Sequence, residues 1–273
     1  PGLKLMLLSA GRETPGQVAA YLTGAGFGAS AMSVFEHMGG PLEQRLDGTA
    51  ADWPHHWQHR PGADLNTIAV ALCQPNRPVA LGTTPGLNDN FYESDGQLTK
   101  REIRAATLSA LRPGPGQMLW DVGAGSGSVA IEWMRTDPLA KAIAIESNPE
   151  RIEAIRRNAH TLGVPFLRIV EGRAPAALSD LEAPDAVFIG GGITGDAVLA
   201  ACWSALKPGG KLVANVVTLE GEAALFAAQA RLGGHLSRIA VSRAEPVGPY
   251  RGWRPFMSVT QWAVVKPADE KAE

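Results

Sequence analysis

The sequence predicts an α/β protein: an open, mostly parallel seven-stranded sheet with an antiparallel hairpin at one edge, preceded by a smaller αβ segment. Three observations carry that expectation. Through the second half of the chain, short apolar runs alternate with helical patterns, as in a parallel sheet covered on both faces. The last two apolar runs have no helix between them, only "AEPVGPYRGWRPFM", so they should pair as a hairpin. The first run of that half enters a helical stretch through "DVGAGSGSVAIEW", Asp121 to Trp133, a turn with glycine at every second position.

In order, Leu3 to Ser9 reads as a strand and "TPGQVAAYLTGAG" as a helix with Pro at its start and Gly at its end. "AMSVFEHM" and "DLNTIAVALC" read as further strands, separated by a polar excursion from Gly39 to Gly62. Three strands and one helix make a thin core, so this segment, residues 1–84, is expected to be half of a larger domain. The chain opens on Pro-Gly rather than Met and reads as a fragment or trimmed product; "CQPNRPVALGTTPGLNDN" is the linker candidate. "DGQLTKREIRAATLSAL" is an amphipathic helix with Thr99 as its N-cap candidate. Strands at "QMLWDVG", "KAIAIES", "FLRIVEG", "AVFIGG", "KLVANVVT", "SRIAVSR" and "SVTQWAVVK" set a domain over residues 85–267. "PERIEAIRRNAHTLG" has Pro149 in its first turn, Gly163 past its end, and Ile152, Ile155, Ala159 and Leu162 on one face. Residues 268–273 read as a tail.

Composition narrows the function. Of 273 residues 45% are hydrophobic and 19% charged, which suits a globular enzyme and argues against extended disorder. The formal net charge is -2, so no global positive field draws the chain to nucleic acid or an anionic membrane. Only Cys73 and Cys202 occur, both in apolar runs, which reads as buried thiols in a reducing cytoplasm. No apolar stretch reaches the ~20 residues of a membrane helix, and the first residues carry no signal-peptide cleavage pattern.

In such a sheet ligands bind beyond the carboxyl ends of the strands, usually at the first strand-to-helix turn. Gly123, Gly125 and Gly127, with Ala124 and Ser126 between them, let the backbone turn tightly and let a ligand lie against it. Ser128 stands where a dinucleotide fingerprint wants Gly or Ala, and no Lys-Ser/Thr pair follows as in a triphosphate loop. Glu146 ends the second strand, where its carboxylate can accept from both hydroxyls of a ribose. Neither signal is specific alone; with the edge hairpin they point to S-adenosylmethionine. The plain alternative is a structural turn and a solvated strand end. Gly172, Arg173 and Ala174 suit the flank of an adenine ring, and Gly190, Gly191 and Gly192 leave room for methionine and an acceptor. Free amides of the helix behind Thr99 can receive the methionine carboxylate.

From "PGLNDNFYESDGQLTKREIRAATLSALRPGPGQMLWDVGAGSGSVAIEWMR" onward, with "EGRAPAAL", the chain resembles the class I (Rossmann-like) methyltransferase and decarboxylase component of cobalamin biosynthesis, over about Pro85 to Lys266. "SVFEHMGGPLEQRLDG" and "DLNTIAVAL" resemble the second lobe of the tetrapyrrole methylase family. The two in that order resemble the fused precorrin-6Y C5,15-methyltransferase (decarboxylating) family. The resemblance implies S-adenosylmethionine held at Thr99, Gly123 through Gly127, Glu146 and Ala174. It also implies methylation of a precorrin at C15, loss of the ring C acetate carboxyl, and a homotetramer of the C-terminal part. The tetrapyrrole methylase's first lobe, with its own glycine-rich loop, is missing here, so C5 methylation by this chain is not expected.

Methyl transfer at a sulfonium needs alignment more than acid-base help, and the macrocycle's conjugated imine can take the electrons of a departing carboxylate. No catalytic side chain and no metal is therefore assigned. A substrate with many carboxylates does need cations and flat apolar surface. Lys100, Arg101 and Arg104 near the cofactor, and Tyr250, Arg251, Trp253, Arg254 and Phe256 in the hairpin, are the candidates; each also reads as an ordinary charged face or solvated loop. Asn215, ending the fifth strand, is a substrate contact or a satisfied core amide. His55, His56 and His59 have no carboxylate or cysteine partner at metal-ligand spacing, while Trp53 and Trp57 should pack the excursion down. Two readings compete: methylation of tRNA adenosine, against which the net charge speaks, and a scaffold that binds S-adenosylmethionine without turnover.

Overall fold

Burial alternates along the strands of the first sheet, so that one face is covered and the other is open. The computed structural model describes residues 3–57, 62–73 and 81–268, and the chain divides into two units, Pro1–Gly82 and Thr83–Glu273. In the smaller unit the elements are β1 (Lys4–Leu8), α1 (Thr14–Gly24), β2 (Ala31–Glu36), β3 (Gln44–Thr49), α2 (Trp53–Trp57) and β4 (Asn66–Ala71). The sheet is antiparallel in the order β1-β4-β2-β3. Met32, Val34, Ile68 and Val70 line its covered face, against Ala19 and Leu22 of α1 and the buried indole of Trp53.

Strand β3 and helix α2 lie inside the stretch that reads as an excursion. "QRLDGT" carries no apolar alternation because it is an edge strand held by polar pairs, with Ser33 Oγ donating to Asp47 Oδ1 at 2.5 Å. Cys73 is half-buried rather than buried; Cys202 is fully buried. His55 is exposed on α2, whereas His59 and the side chains of His56 and Trp57 lie outside the described residues.

The larger unit runs α3 (Arg101–Leu111), β5 (Met118–Val122), α4 (Ser128–Thr136), β6 (Lys141–Glu146), α5 (Pro149–Thr161), β7 (Arg168–Glu171), β8 (Ala186–Ile189), α6 (Asp196–Ala205), β9 (Lys211–Val216) and α7 (Leu219–Leu232). It ends in β10 (His235–Ile239), β11 (Ser242–Val247), β12 (Tyr250–Pro255) and β13 (Val259–Val265). Seven strands pair in the order β10-β13-β9-β8-β5-β6-β7. β5 to β9 are parallel, and β13 is antiparallel to both β9 and β10. This is the class I methyltransferase arrangement, with the antiparallel pair at the edge where the missing helix placed it. Asn148 caps α5 by accepting from the amides of Glu150 and Arg151, and Ile152, Ile155, Ala159 and Leu162 are all buried. β11 and β12 form a separate two-stranded ribbon, which Pro246, Gly252 and Pro255 hide from any strand pattern. No helix among the described residues is long and apolar enough to cross a membrane.

Candidate functional site

Beyond the carboxyl ends of β5, β6, β8 and β9 opens a cavity of about 890 Å³. Strand polarity puts it there: parallel neighbours end together, and the loops that follow diverge to opposite faces of the sheet. Thr99, Gly123, Ala124, Gly125, Glu146 and the Gly172 to Ala174 segment line it, as do Gly190, Gly191 and Gly192. Ser126 and Gly127 do not: both are buried, Gly127 leading into α4 against Ile155. Their place on the sequence's ligand list is corrected to a structural one.

The three glycines of the turn have φ of +73°, +58° and +74°, a region that L side chains rarely adopt. A Cβ on Gly123 would stand 3.1 Å from the backbone N of Gly191, on Gly125 3.2 Å from the carbonyl of Gln97, and on Gly127 2.9 Å from Ile155 Cγ2. The bareness of this turn is thus set first by the chain's own close packing. The side of the turn that faces the cavity is its exposed outer side at Gly123.

Glu146 is buried at the tip of β6, and backbone amides aim its carboxylate. Oε2 accepts from Gly125 N at 2.9 Å, and Oε1 from Ser147 N at 2.8 Å and Asn148 N at 3.0 Å. A carboxylate offers about four lone-pair positions, so capacity for hydroxyl donors remains on the cavity side. Asp121, beneath the turn, is buried; its Oδ2 accepts from Ala130 N at 3.0 Å. Burial, with the nearby Glu146 charge as a lesser cause, pushes the Asp121 carboxyl up to about 7.

Arg104 is not a substrate contact. Its side chain is wholly buried and ion-paired to Glu132 at 2.5 Å, with Asp89 at 3.4 Å. Further donors reach the carbonyls of Thr99 and Leu87, and Tyr92 lies under the guanidinium at 4.6 Å. Glu132 accepts in addition from Gly86 N, Leu87 N and Tyr92 Oη at 2.6, 3.0 and 2.9 Å. This pair fastens the "PGLNDNFY" lead-in to α3 and α4. Thr99 is likewise not the cap of α3, which begins one residue later behind Lys100 without a side-chain cap; Thr99 keeps its place on the cavity wall.

Lys100 and Asn215 line the cavity. Asn215 is partly spent: its Nδ2 donates to Thr107 Oγ1 at 2.8 Å and its Oδ1 accepts from Gln261 Nε2 at 2.9 Å. Asn215 is thus a satisfied amide at the edge of the space. Tyr250, Arg251 and Arg254 stand on β12, exposed and off the cavity wall, Arg254 pairing with Glu245 at 3.1 Å. The hairpin meets the cavity only at its base, through Val241, Phe256 and Met257. The β9–α7 turn, Val216 to Thr218, also lines it and was missed; its position after a strand of the same sheet was the available signal. Among the described residues no group of three or more His, Cys, Asp and Glu is placed to hold a metal ion.

A family model described as a precorrin methyltransferase domain matches residues 90–266. A precorrin-6Y C(5,15)-methyltransferase [decarboxylating] of Sinorhizobium sp is 47% identical over 266 residues, which is 97% of this chain and 63% of that protein. A protein of the same description from Mycobacterium tuberculosis (strain CDC 1551 / Oshkosh) is 45% identical over 97% of this chain and 66% of its own length. The chain thus spans under two thirds of these relatives. The crystal structure of the C-terminal domain of precorrin-6Y C5,15-methyltransferase from Rhodobacter capsulatus, 46% identical, covers 68% of this chain and 100% of its own with a TM-score of 0.64. The chain belongs to the precorrin methyltransferase domain family.

Proposed function

We propose that Thr83–Glu273 binds S-adenosylmethionine, methylates a precorrin at C15 and removes the ring C acetate carboxyl as a step of cobalamin biosynthesis. The observation that carries this is a single cavity in which a backbone-anchored Glu146 carboxylate and an apolar wall of Val241, Phe256 and Met257 face one space. The residues fit the cofactor. Glu146 receives its ribose hydroxyls, Gly172 to Ala174 flank the adenine, and the open amides behind Lys100 face its carboxylate. Bound there, it supplies an electrophilic methyl group. The chain's own part is to align the acceptor and exclude water, with Lys100 available to substrate carboxylates. In the decarboxylation, the bond to the carboxylate carbon breaks and its electron pair enters the macrocycle's conjugated imine. The methylene carbon left behind then takes a proton from water.

The smaller unit is read as a tetrapyrrole methylase second lobe, with no C5 chemistry assigned to it. We place the protein in the cytoplasm, its two cysteines forming no disulfide, with a small-molecule rather than a nucleic-acid partner. A homo-oligomer, taken as a tetramer, uses the β11–β12 ribbon, since a lone two-stranded ribbon is marginal in water and this one leaves Trp253 77% and Tyr250 78% exposed. W253A should shift the mass measured by light scattering toward the monomer; unchanged assembly would remove the ribbon from the interface.

The deciding experiment is mass spectrometry of precorrin-6B incubated with the chain and S-adenosylmethionine. One methyl gained and one carbon dioxide lost supports the reading. Two methyls gained overturns the restriction to C15, and an unchanged precorrin with bound cofactor overturns the acceptor.

A further inference from the structure

The cofactor-side contacts gather over the ends of β5, β6 and β7, which leaves the ends of β8, β9 and β13 for the acceptor. On that side the wall is made by the two necks of the ribbon, Val241 before β11 and Phe256 and Met257 after β12. The necks are tied to each other by Phe256 N donating to Val241 O at 2.9 Å. A hydrogen bond between two loop segments does not fix where the pair stands. The contacts that reach from the ribbon to α3 and the lead-in are made by Arg243, the second residue of β11.

The Arg243 guanidinium lies 5.1 Å from the centre of the Phe256 ring and puts Nη2 2.6 Å from Glu102 Oε2 and 2.8 Å from Asp89 Oδ2. Glu102 is in the first turn of α3, and Asp89 belongs to the lead-in. Asp89 reaches back to the buried Arg104, whose other partner is Glu132. The charges therefore alternate from the core of the unit to the neck: Glu132, Arg104, Asp89, Arg243, Glu102. At its outer end the chain of charges holds an aromatic ring on the cavity wall. Arg243 holds the Glu102 carboxyl down at about 2, so the clamp stays ionised throughout the neutral range.

We propose that Arg243 is a positioning residue for the acceptor: it clamps the ribbon neck to α3 and the lead-in, and so fixes the Phe256 wall against which a tetrapyrrole face lies. The proposal rests on the precorrin reading for its substrate, while the clamp itself is independent of it. Arg243 lines no part of the cavity, and it meets the first turn of α3 only through the Glu102 side chain, whose backbone the helix itself holds, so its loss should weaken acceptor binding more than cofactor binding.

The test is R243M, with R243K as the variant that keeps the charge but not the planar guanidinium that lies over the Phe256 ring. S-adenosylhomocysteine titration, steady-state kinetics with precorrin-6B, and hydrogen exchange of the 241–257 peptide are read on each. For R243M we expect acceptor KM to rise about tenfold, S-adenosylhomocysteine Kd to stay within about twofold, and the 241–257 peptide to exchange faster; R243K should fall between. KM and exchange like wild type in R243M overturn the clamp. A parallel loss of S-adenosylhomocysteine affinity also overturns it, by showing general loosening. Should wild type bind S-adenosylhomocysteine and turn over no precorrin, the substrate reading fails, and the exchange arm alone decides the clamp.

Discussion

Replacing Glu132 by Gln removes the charge at the centre of the lead-in's attachment. Four groups donate to that carboxylate, and one of them is the fully buried Arg104. Breaking a buried ion pair by altering one partner costs about 3–5 kcal/mol, because the other charge is left behind. Here Arg104 keeps Asp89 at 3.4 Å and two carbonyls, which favours the lower end. Against that, Gln has one acceptor oxygen, so an amide donor must face Gly86 N, Leu87 N or the guanidinium. The expected loss is about 3–4 kcal/mol, or roughly 6–16 °C in Tm for a unit of this size. Calorimetry and urea unfolding followed by tryptophan emission measure it, and the amides of Gly86 and Leu87 should lose exchange protection first. The apolar pair R104M/E132L should not recover the loss, because Gly86 N, Leu87 N and Tyr92 Oη are then left without an acceptor. A loss below about 1 kcal/mol in E132Q would refute the claim that this pair is dry and holds the lead-in.

Three other outcomes follow from the geometry. G127A must place a Cβ 2.9 Å from Ile155 Cγ2 at φ +74°, so thermal unfolding should show it destabilised by about 2–4 kcal/mol; a loss under 1 kcal/mol means α5 yields there. Asp121 titrates near 7 when folded against 3.8 unfolded, so between those values the native state keeps a proton that the unfolded chain has released. Stability therefore falls by about 4 kcal/mol as pH rises through that window, and D121N should flatten that slope in urea titrations across pH 4–8; an unchanged slope removes Asp121 as its source. E146A should weaken S-adenosylhomocysteine by roughly 100-fold, two hydrogen bonds to a charged acceptor being worth about 3 kcal/mol, and titration calorimetry showing less than about threefold would dismiss Glu146 as the ribose acceptor.

What could be read from the sequence was what the sheet buries on both sides. β5, β6, β8 and β9 are mostly apolar, so their runs stand out, and the polar residues inside or closing them, Asp121, Glu146 and Asn215, stand out as exceptions. Strand β3 and the ribbon did not register because β3 carries one Leu among polar residues and glycine and the ribbon strands are interrupted by Pro246, Gly252 and Pro255, so nothing in period two distinguishes them from loop. Arg104 was legible but misread. It shares a helical face with Leu108 and Leu111, at spacings of four and seven, and that face is the buried one. A cation on an apolar stripe announces a buried partner, here Glu132 on another helix, and not a solvent-facing contact.

The same point explains why the lead-in belongs to the site although little of it touches the cavity. Gly125 is bare because the Gln97 carbonyl occupies the space of its Cβ. Asn158 of α5 accepts from Glu93 N at 2.8 Å and donates to the carbonyls of Glu93 and Ser126 at 3.0 Å, joining lead-in to turn through one buried amide. The turn that aims Glu146 is therefore clamped from outside by a segment whose own anchor is the Arg104–Glu132 pair. On this account loosening the anchor shifts Gly125, whose amide is one of three holding the Glu146 carboxylate, and E132Q should weaken S-adenosylhomocysteine as well as the fold. R243M, acting at the other end of the same chain of charges, should weaken acceptor binding more than cofactor binding. If E132Q lowers stability yet leaves cofactor affinity within twofold, the lead-in supports the helices alone and the turn keeps its shape without it.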